Sequence, residues 1–223
     1  MRIAVLSLCR DRLDFTRHCF KTLHELAGCE FDHYVLDQAS EDGSREWLHA
    51  EIDAGRLRHC VWQGNNVGVS RGINQLLEVV VPRGYDVIVK YDNDAELLCE
   101  DTLKVAAKVA LEGWIISPHI QGLDQTPIVE REEWVAGYRV GVPNIMGGIF
   151  MAAPASLYQT YRHDEKNPVW GMDDARIVEH WRAYGGEVGY LLDYPANHYL
   201  TTQGQHDAVQ WYFDRRVTEG APP

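Results

Sequence analysis

A nearly continuous apolar run, residues 3–8, passes directly into an amphipathic helical pattern, and the same alternation then repeats three times. Phe15, Cys19, Phe20, Leu23 and Leu26 recur at three- to four-residue spacing, and Gly28 follows as a stop signal. Residues 33–36 read as a second strand and 44–52 as a helix ending near Gly55. Residues 57–62 read as a third strand, and 70–80 as a helix stopped by Pro82. Residues 86–91 read as a fourth strand, and 101–111 as a helix before Gly113. A strand buried on one face alternates apolar and polar residues; an unbroken apolar run is a strand covered on both faces. Repeated strand-helix units with such strands predict an α/β protein, Rossmann-like, with a mostly parallel central sheet flanked by helices.

The second half has another rhythm. Residues 114–117 form a predicted strand, followed by an irregular stretch to about Val129. Residues 135–142 and 145–152 read as strands around a Pro143-Asn144 turn. Residues 173–184 are helical and closed by Gly185-Gly186, and 188–192 form the last strand. The pattern predicts one domain over 1–200 and a tail over 201–223. Its two halves are 1–112 and 113–200, the second carrying an antiparallel subsheet.

Composition narrows the function classes. Apolar residues at 45% and charged residues at 24% exclude wholesale disorder. Lys and Arg number 21 against 33 Asp and Glu, a net charge of −12. That balance argues against sequence-independent binding to a polyphosphate backbone, which needs clustered cations. The longest apolar stretches, 76–82 and 114–118, fall well short of the roughly 20 residues that span a bilayer. The start of the chain lacks the long apolar centre of a secretory signal. Five cysteines at 9, 19, 29, 60 and 99, with no C-x-x-C, read as reduced thiols. The expected location is cytoplasmic, free or peripheral to a membrane.

Four features can carry chemistry. The strand Val87-Ile88-Val89-Lys90-Tyr91 ends in Asp92-Asn93-Asp94. In open α/β sheets ligands bind outside the carboxyl ends of strands, and two carboxylates there suit a hard cation completed by substrate phosphates. A strand end closed by turn-forming Asp and Asn is the plainer reading. Asn65-Asn66-Val67-Gly68-Val69-Ser70-Arg71 follows a strand and opens a helix. That arrangement favours an anion, or is a capped turn. Trp170-Gly171-Met172-Asp173-Asp174 precedes a helix. The two acids are either helix-dipole partners or include a general base, with Trp170 a platform for a sugar ring. His198 stands just after the last predicted strand.

These features fall in a familiar order, and the chain resembles the family 2 glycosyltransferases of GT-A fold over residues 2–200. Val5-Leu6-Ser7-Leu8-Cys9-Arg10-Asp11-Arg12 is similar to that family's first strand and loop, with Arg10-Asp11-Arg12 for the commoner Tyr-Asn-Arg. Asp37, Ser40 and Asp42 match its nucleotide-binding strand end, and Gln38 departs from it. Asn66-x-Gly68 with Asn74, Asp92-Asn93-Asp94, and Gly147-Gly148 before Phe150-Met151 match in turn. Asp173-Asp174 stands for the family's Glu-Asp pair. The resemblance implies a metal-dependent, inverting transfer of sugar from a nucleotide-diphosphate donor, by default a UDP-sugar. The acceptor hydroxyl would belong to a glycan, a lipid-linked sugar, a protein or a modified nucleobase.

Position by position, the resemblance implies that Asp37 accepts from the nucleobase, with Leu8 and Arg10 lining the same pocket. Asn66, Gly68, Arg71 and Asn93 complete the nucleotide-sugar site. Asp92 contacts the ribose or the metal shell. Asp94, with Asp92 and His198, holds Mn2+ or Mg2+. Gly148 and Trp170 stand on the acceptor side. Asp174 is the base and Asp173 its alternate. Two rivals remain at this point. One is a non-catalytic sugar-nucleotide or glycan-binding module on the same fold. The other is a sugar nucleotidyltransferase, which would carry a glycine-rich loop after the first strand where Leu8-Cys9-Arg10-Asp11-Arg12 has none.

Overall fold

In a computed structural model, the structure describes residues 1–122, 128–166 and 173–199. The first half is a run of strand-helix units. The strands are β1 (Ile3–Cys9), β2 (Asp32–Asp37), β3 (His59–Trp62) and β4 (Val87–Tyr91). Between them lie helices α1 (Leu13–Leu26), α2 (Ser44–Asp53) and α3 (Val69–Val80). The order β3-β2-β1-β4 is parallel throughout. Ile3, Ala4, Val5 and Leu6 are all buried, as are all five residues of β4. The unbroken apolar runs are therefore strands covered on both faces. α3 lies close on β1, because Gly72 has no side chain: a Cβ there would meet Leu8 Cδ2 at 2.9 Å.

The second half comprises β5 (Ala95–Leu97), α4 (Thr102–Leu111), β6 (Trp114–Gln121), β7 (Val129–Val135) and β8 (Tyr138–Pro143). β9 (Phe150–Pro154), the short α5 (Leu157–Thr160), α6 (Asp173–Ala183) and β10 (Glu187–His198) complete it. The ten strands form one sheet, in the order β3-β2-β1-β4-β9-β6-β10-β8-β7, with β5 paired to β10. β9 runs antiparallel to β4 and to β6, while β10 runs parallel to β6. The expected α/β class, with a parallel core and an antiparallel portion, is the one observed.

Three local expectations need correction. The apolar run 135–142 is not one strand: the chain reverses at Ala136-Gly137, and β7 and β8 form the hairpin. Both turn residues have positive φ, 52° and 85°, the pattern of a two-residue hairpin whose twist matches its strands. The expected strand 145–152 begins only at Phe150 and does not pair with β8; it inserts between β4 and β6. The last strand runs on to His198 instead of stopping at 192. A register shift between Leu191 and Pro195 lets it leave β8 and pair with β5.

Candidate active site

β1 lies between β2 and β4, so the crevice opens where connections leave in opposite directions, above Cys9, Asp37 and Tyr91. Asp92-Asn93-Asp94 forms a turn there. The Asp92 amide donates to the Ile149 carbonyl (2.8 Å), and the Ala95 amide donates to the Asp92 carbonyl (3.1 Å), leading into β5. β5 pairs with the end of β10, setting His198 opposite Ala95. The Tyr199 amide donates to the Asp94 carbonyl (2.7 Å). Two segments over a hundred residues apart are thus closed onto one turn.

Asp94 is buried, with its carboxylate 3.0 Å from Arg12 Nη1 and 3.6 Å from His198 Nε2. Burial pushes this carboxyl upward, but Arg12 and His198 outweigh it and hold it well below the usual range. His198 moves the other way: burial pulls it down, and Asp94 with Asp92 more than restores it, so its net shift is upward. Arg12 also donates to Asn93 Oδ1 (2.8 Å), and Asn93 donates to Thr16 Oγ1 (2.8 Å). Arg12 reaches this position from a left-handed residue at the start of α1, φ 59°.

Lys90 is the residue that sequence reasoning misses. It stands in an otherwise apolar strand and is only 7% exposed. Its ammonium donates to the Gly148 carbonyl (2.7 Å) and lies 3.2 Å from Asp92 and 3.5 Å from Asp174. Asp92 is raised from the usual carboxylate value, chiefly by burial and then by the charges of Asp94 and Asp174, against the pull of Lys90. Asp174 stands in the first turn of α6 and packs face-on against Gly148. A Cβ on Gly148 would fall 2.0 Å from Asp174 Oδ1, so any side chain there would displace the Asp174 carboxylate from its position. Asp92, Asp94, His198, Asp174 and Gly148 therefore share one locality. Trp170 and the side chain of Asp173 lie outside the described residues.

On the other flank Asp37 is fully buried at the end of β2, 2.9 Å from Arg45 Nε, and accepts from the Ser40 amide at 3.3 Å. Arg45 lies over the Trp62 ring, 5.5 Å from its centroid. Gln38, the departure from the family pattern, ties two loops together. Its Oε1 accepts from the amides of Val67 and Gly68, both at 3.0 Å. Asn66 Oδ1 also accepts from the Gly68 amide (3.0 Å). Ser40 and Asp42 staple the loops after β1 and β2, accepting from the amides of Asp11 and Leu13, both at 2.8 Å. Leu8 and Arg10 are half-buried at the end of β1. Arg71 is exposed and 3.9 Å from Glu165, away from the carboxylate cluster's own contacts. Asn74 bonds His163 through both its amide and its carbonyl side-chain atoms, at 2.8 and 2.9 Å, tying α3 to the second half.

No protein-family model matches the chain, and no curated protein matches it in sequence. Solved structures match it by fold. A mannosyltransferase from Pyrobaculum calidifontis, in complex with GDP-Man and Mn2+, has a TM-score of 0.70 at 16% identity. The match covers 99% of this chain and 65% of that one. TarS of S. aureus matches with a TM-score of 0.68 at 14% identity, over 95% of this chain and 39% of TarS. GalNAc-T7, solved with UDP, GalNAc and Mn2+, matches with a TM-score of 0.71 at 12% identity, over 92% and 44% respectively. The chain thus spans between 39% and 65% of the length of these neighbours. Their common architecture is the GT-A glycosyltransferase fold, and it is the fold of this chain. Among the described residues no helix is long and apolar enough to cross a membrane.

Proposed function

We propose that this protein is a metal-dependent, inverting glycosyltransferase acting from a nucleotide-diphosphate sugar onto an acceptor hydroxyl. The observation that carries the reading is the meeting of Asp92, Asp94 and His198 with Asp174 at the carboxyl ends of the parallel strands. Neighbours of the same fold bind GDP-Man, UDP and UDP-GlcNAc, and two of the neighbours were solved with Mn2+. In this reading the half 1–112 takes the donor and 113–200 the acceptor.

The residues fit a divalent cation of a particular kind. Among the described residues there is no group of three or more His, Cys, Asp or Glu arranged to enclose a metal. Asp94 and His198 nevertheless converge, giving one oxygen and one nitrogen donor, with Asp92 beside them. Two protein ligands suit an ion whose shell is completed by substrate phosphates rather than by a protein cage. When bound, Mn2+ or Mg2+ would neutralise charge on the departing diphosphate. Arg12 and His198 keep Asp94 ionised, as a metal ligand must be.

The remaining work falls to the chain itself. Asp37, with Leu8 and Arg10, lines the nucleobase pocket, and Gln38 holds Asn66 to Gly68 against it. Asp174 takes the proton of the acceptor hydroxyl as that oxygen bonds to the anomeric carbon. The bond from that carbon to the diphosphate breaks, and its electron pair leaves on the phosphate oxygen. Gly148 leaves room for the base. Asp173 is the alternate base, and Trp170 the platform for the acceptor sugar.

The test is a thermal-shift series with UDP, GDP, CDP and dTDP, each with Mn2+ and with EDTA. Binding to the native state raises the melting temperature by mass action. One nucleotide giving a Mn2+-dependent rise is the expected result, followed by sugar release from the matching donor. No rise with any nucleotide overturns the donor site. A rise without sugar transfer or release selects the non-catalytic binding module.

A further inference from the structure

We propose that Lys90 is a positioning residue that couples donor loading to the base, by sharing one ammonium between Asp92 and Asp174. The inference rests on the glycosyltransferase reading and deepens it. Three carboxylates meet in this site. Asp94 has Arg12 at 3.0 Å, supplied from the start of α1. Asp92 and Asp174 instead share Lys90, at 3.2 and 3.5 Å.

The geometry is specific. A lysine ammonium carries three N–H donors and no acceptor. Three acceptors surround it: the Gly148 carbonyl, Asp92 and Asp174. A lysine is almost never buried unless it is paired, and this one is buried in a strand whose other residues are apolar. The bond to Gly148 matters twice, because Gly148 is also the surface on which Asp174 lies. One side chain therefore fixes the backbone under the base, the base itself, and the first carboxylate of the donor turn. Without the ammonium, Asp92 and Asp174 would be like charges with no shared cation among the described residues.

The consequence has two signs. Lys90 competes with an incoming cation for Asp92, so its removal favours cation binding. It also aims Asp174, so its removal impairs turnover. Damage to the site as a whole would weaken both. The experiment measures Mn2+ affinity by paramagnetic resonance, with Mn2+ alone, on wild type, Lys90→Met, Lys90→Gln and Lys90→Arg. The same proteins are assayed for hydrolysis of UDP-GlcNAc and GDP-mannose. Lys90→Gln keeps a donor for Gly148 and serves if Lys90→Met does not fold. Removing a positive charge a few ångströms away should tighten Mn2+ by about tenfold. Turnover should fall by about a hundredfold with the donor KM not raised, as expected when an oriented group is lost. Lys90→Arg keeps Mn2+ affinity near wild type and restores part of the turnover. Unchanged or weaker Mn2+ binding in Lys90→Gln, or unchanged turnover, overturns the role of Lys90 and leaves the glycosyltransferase reading standing. Failure of wild type to bind Mn2+ even with UDP or GDP added overturns that reading itself.

Discussion

The proposed donor flank and the proposed acceptor flank of the site are built in different ways. On the proposed donor flank Asp94 and Asp37 each have an arginine partner from the first half of the chain. Arg12 leaves β1 and meets Asp94; Arg45 opens α2 and meets Asp37 at the end of β2. On the acceptor flank Asp174 relies on a lysine from the central strand β4, 84 residues earlier, and on a glycine with no side chain. The first flank is built mainly from the parallel strand-helix units, with His198 added by β10. The second exists only after distant segments have met.

Asp174→Asn is the sharpest way to separate the two flanks. Loss of a general base lowers turnover by about a thousandfold. Melting temperature and nucleotide binding should stay near wild type, measured by calorimetry with the responsive nucleotide. Near wild-type turnover would remove Asp174 as the base. Asp94→Ala attacks the other flank. It should weaken nucleotide affinity in Mn2+ on the order of a hundredfold, the upper range for metal-site substitutions, and do far less in EDTA. Equal weakening in both conditions would remove Asp94 as a ligand.

A smaller effect distinguishes the flanks by acid. His33 is buried in the first half, between Ser7 (2.9 Å) and His24 (3.3 Å), and burial, with His24 adding, holds it neutral well below its ordinary value. His163, in the second half, is pushed down to about 4, by burial first and then by Lys90. Well above the ordinary histidine value of about 6.5, both are neutral folded or unfolded, and they add no pH dependence to stability. As pH falls through that value the unfolded chain takes up protons that the folded chain refuses, so stability falls. The slope is at most about 1.4 kcal/mol per pH unit for each histidine. Denaturant titrations at neutral pH and about two units below it should show this loss, and His33→Gln should reduce it. An unchanged loss in that variant would place the acid sensitivity elsewhere.

The first half is legible in the sequence because its signals are local. Phe15 to Leu26 shows its helix face within four turns, and β1 and β4 show their burial in uninterrupted apolar runs. The second half is harder to read because its pairing is not sequential. β5 has three residues, too few to show a period, yet it brings His198 to Asp94. The strand pattern runs unbroken through Ala136-Gly137, which lacks the Asn-Gly or Asp-Gly signature of such turns. Lys90 reads as an interruption in a strand. Asp92 lies two residues on, but the approach of α6 and of the segment before β9 supplies Asp174 and Gly148.

β10 has a consequence of its own for biogenesis. It enters the sheet between β6 and β8, both already made, and delivers His198 at its far end. Until it inserts, a newly synthesised chain has the parallel half with Asp92 and Asp94 but lacks the imidazole beside them. In the proposed function, the Asp94–His198 pair that would hold the cation therefore forms only with closure of the sheet.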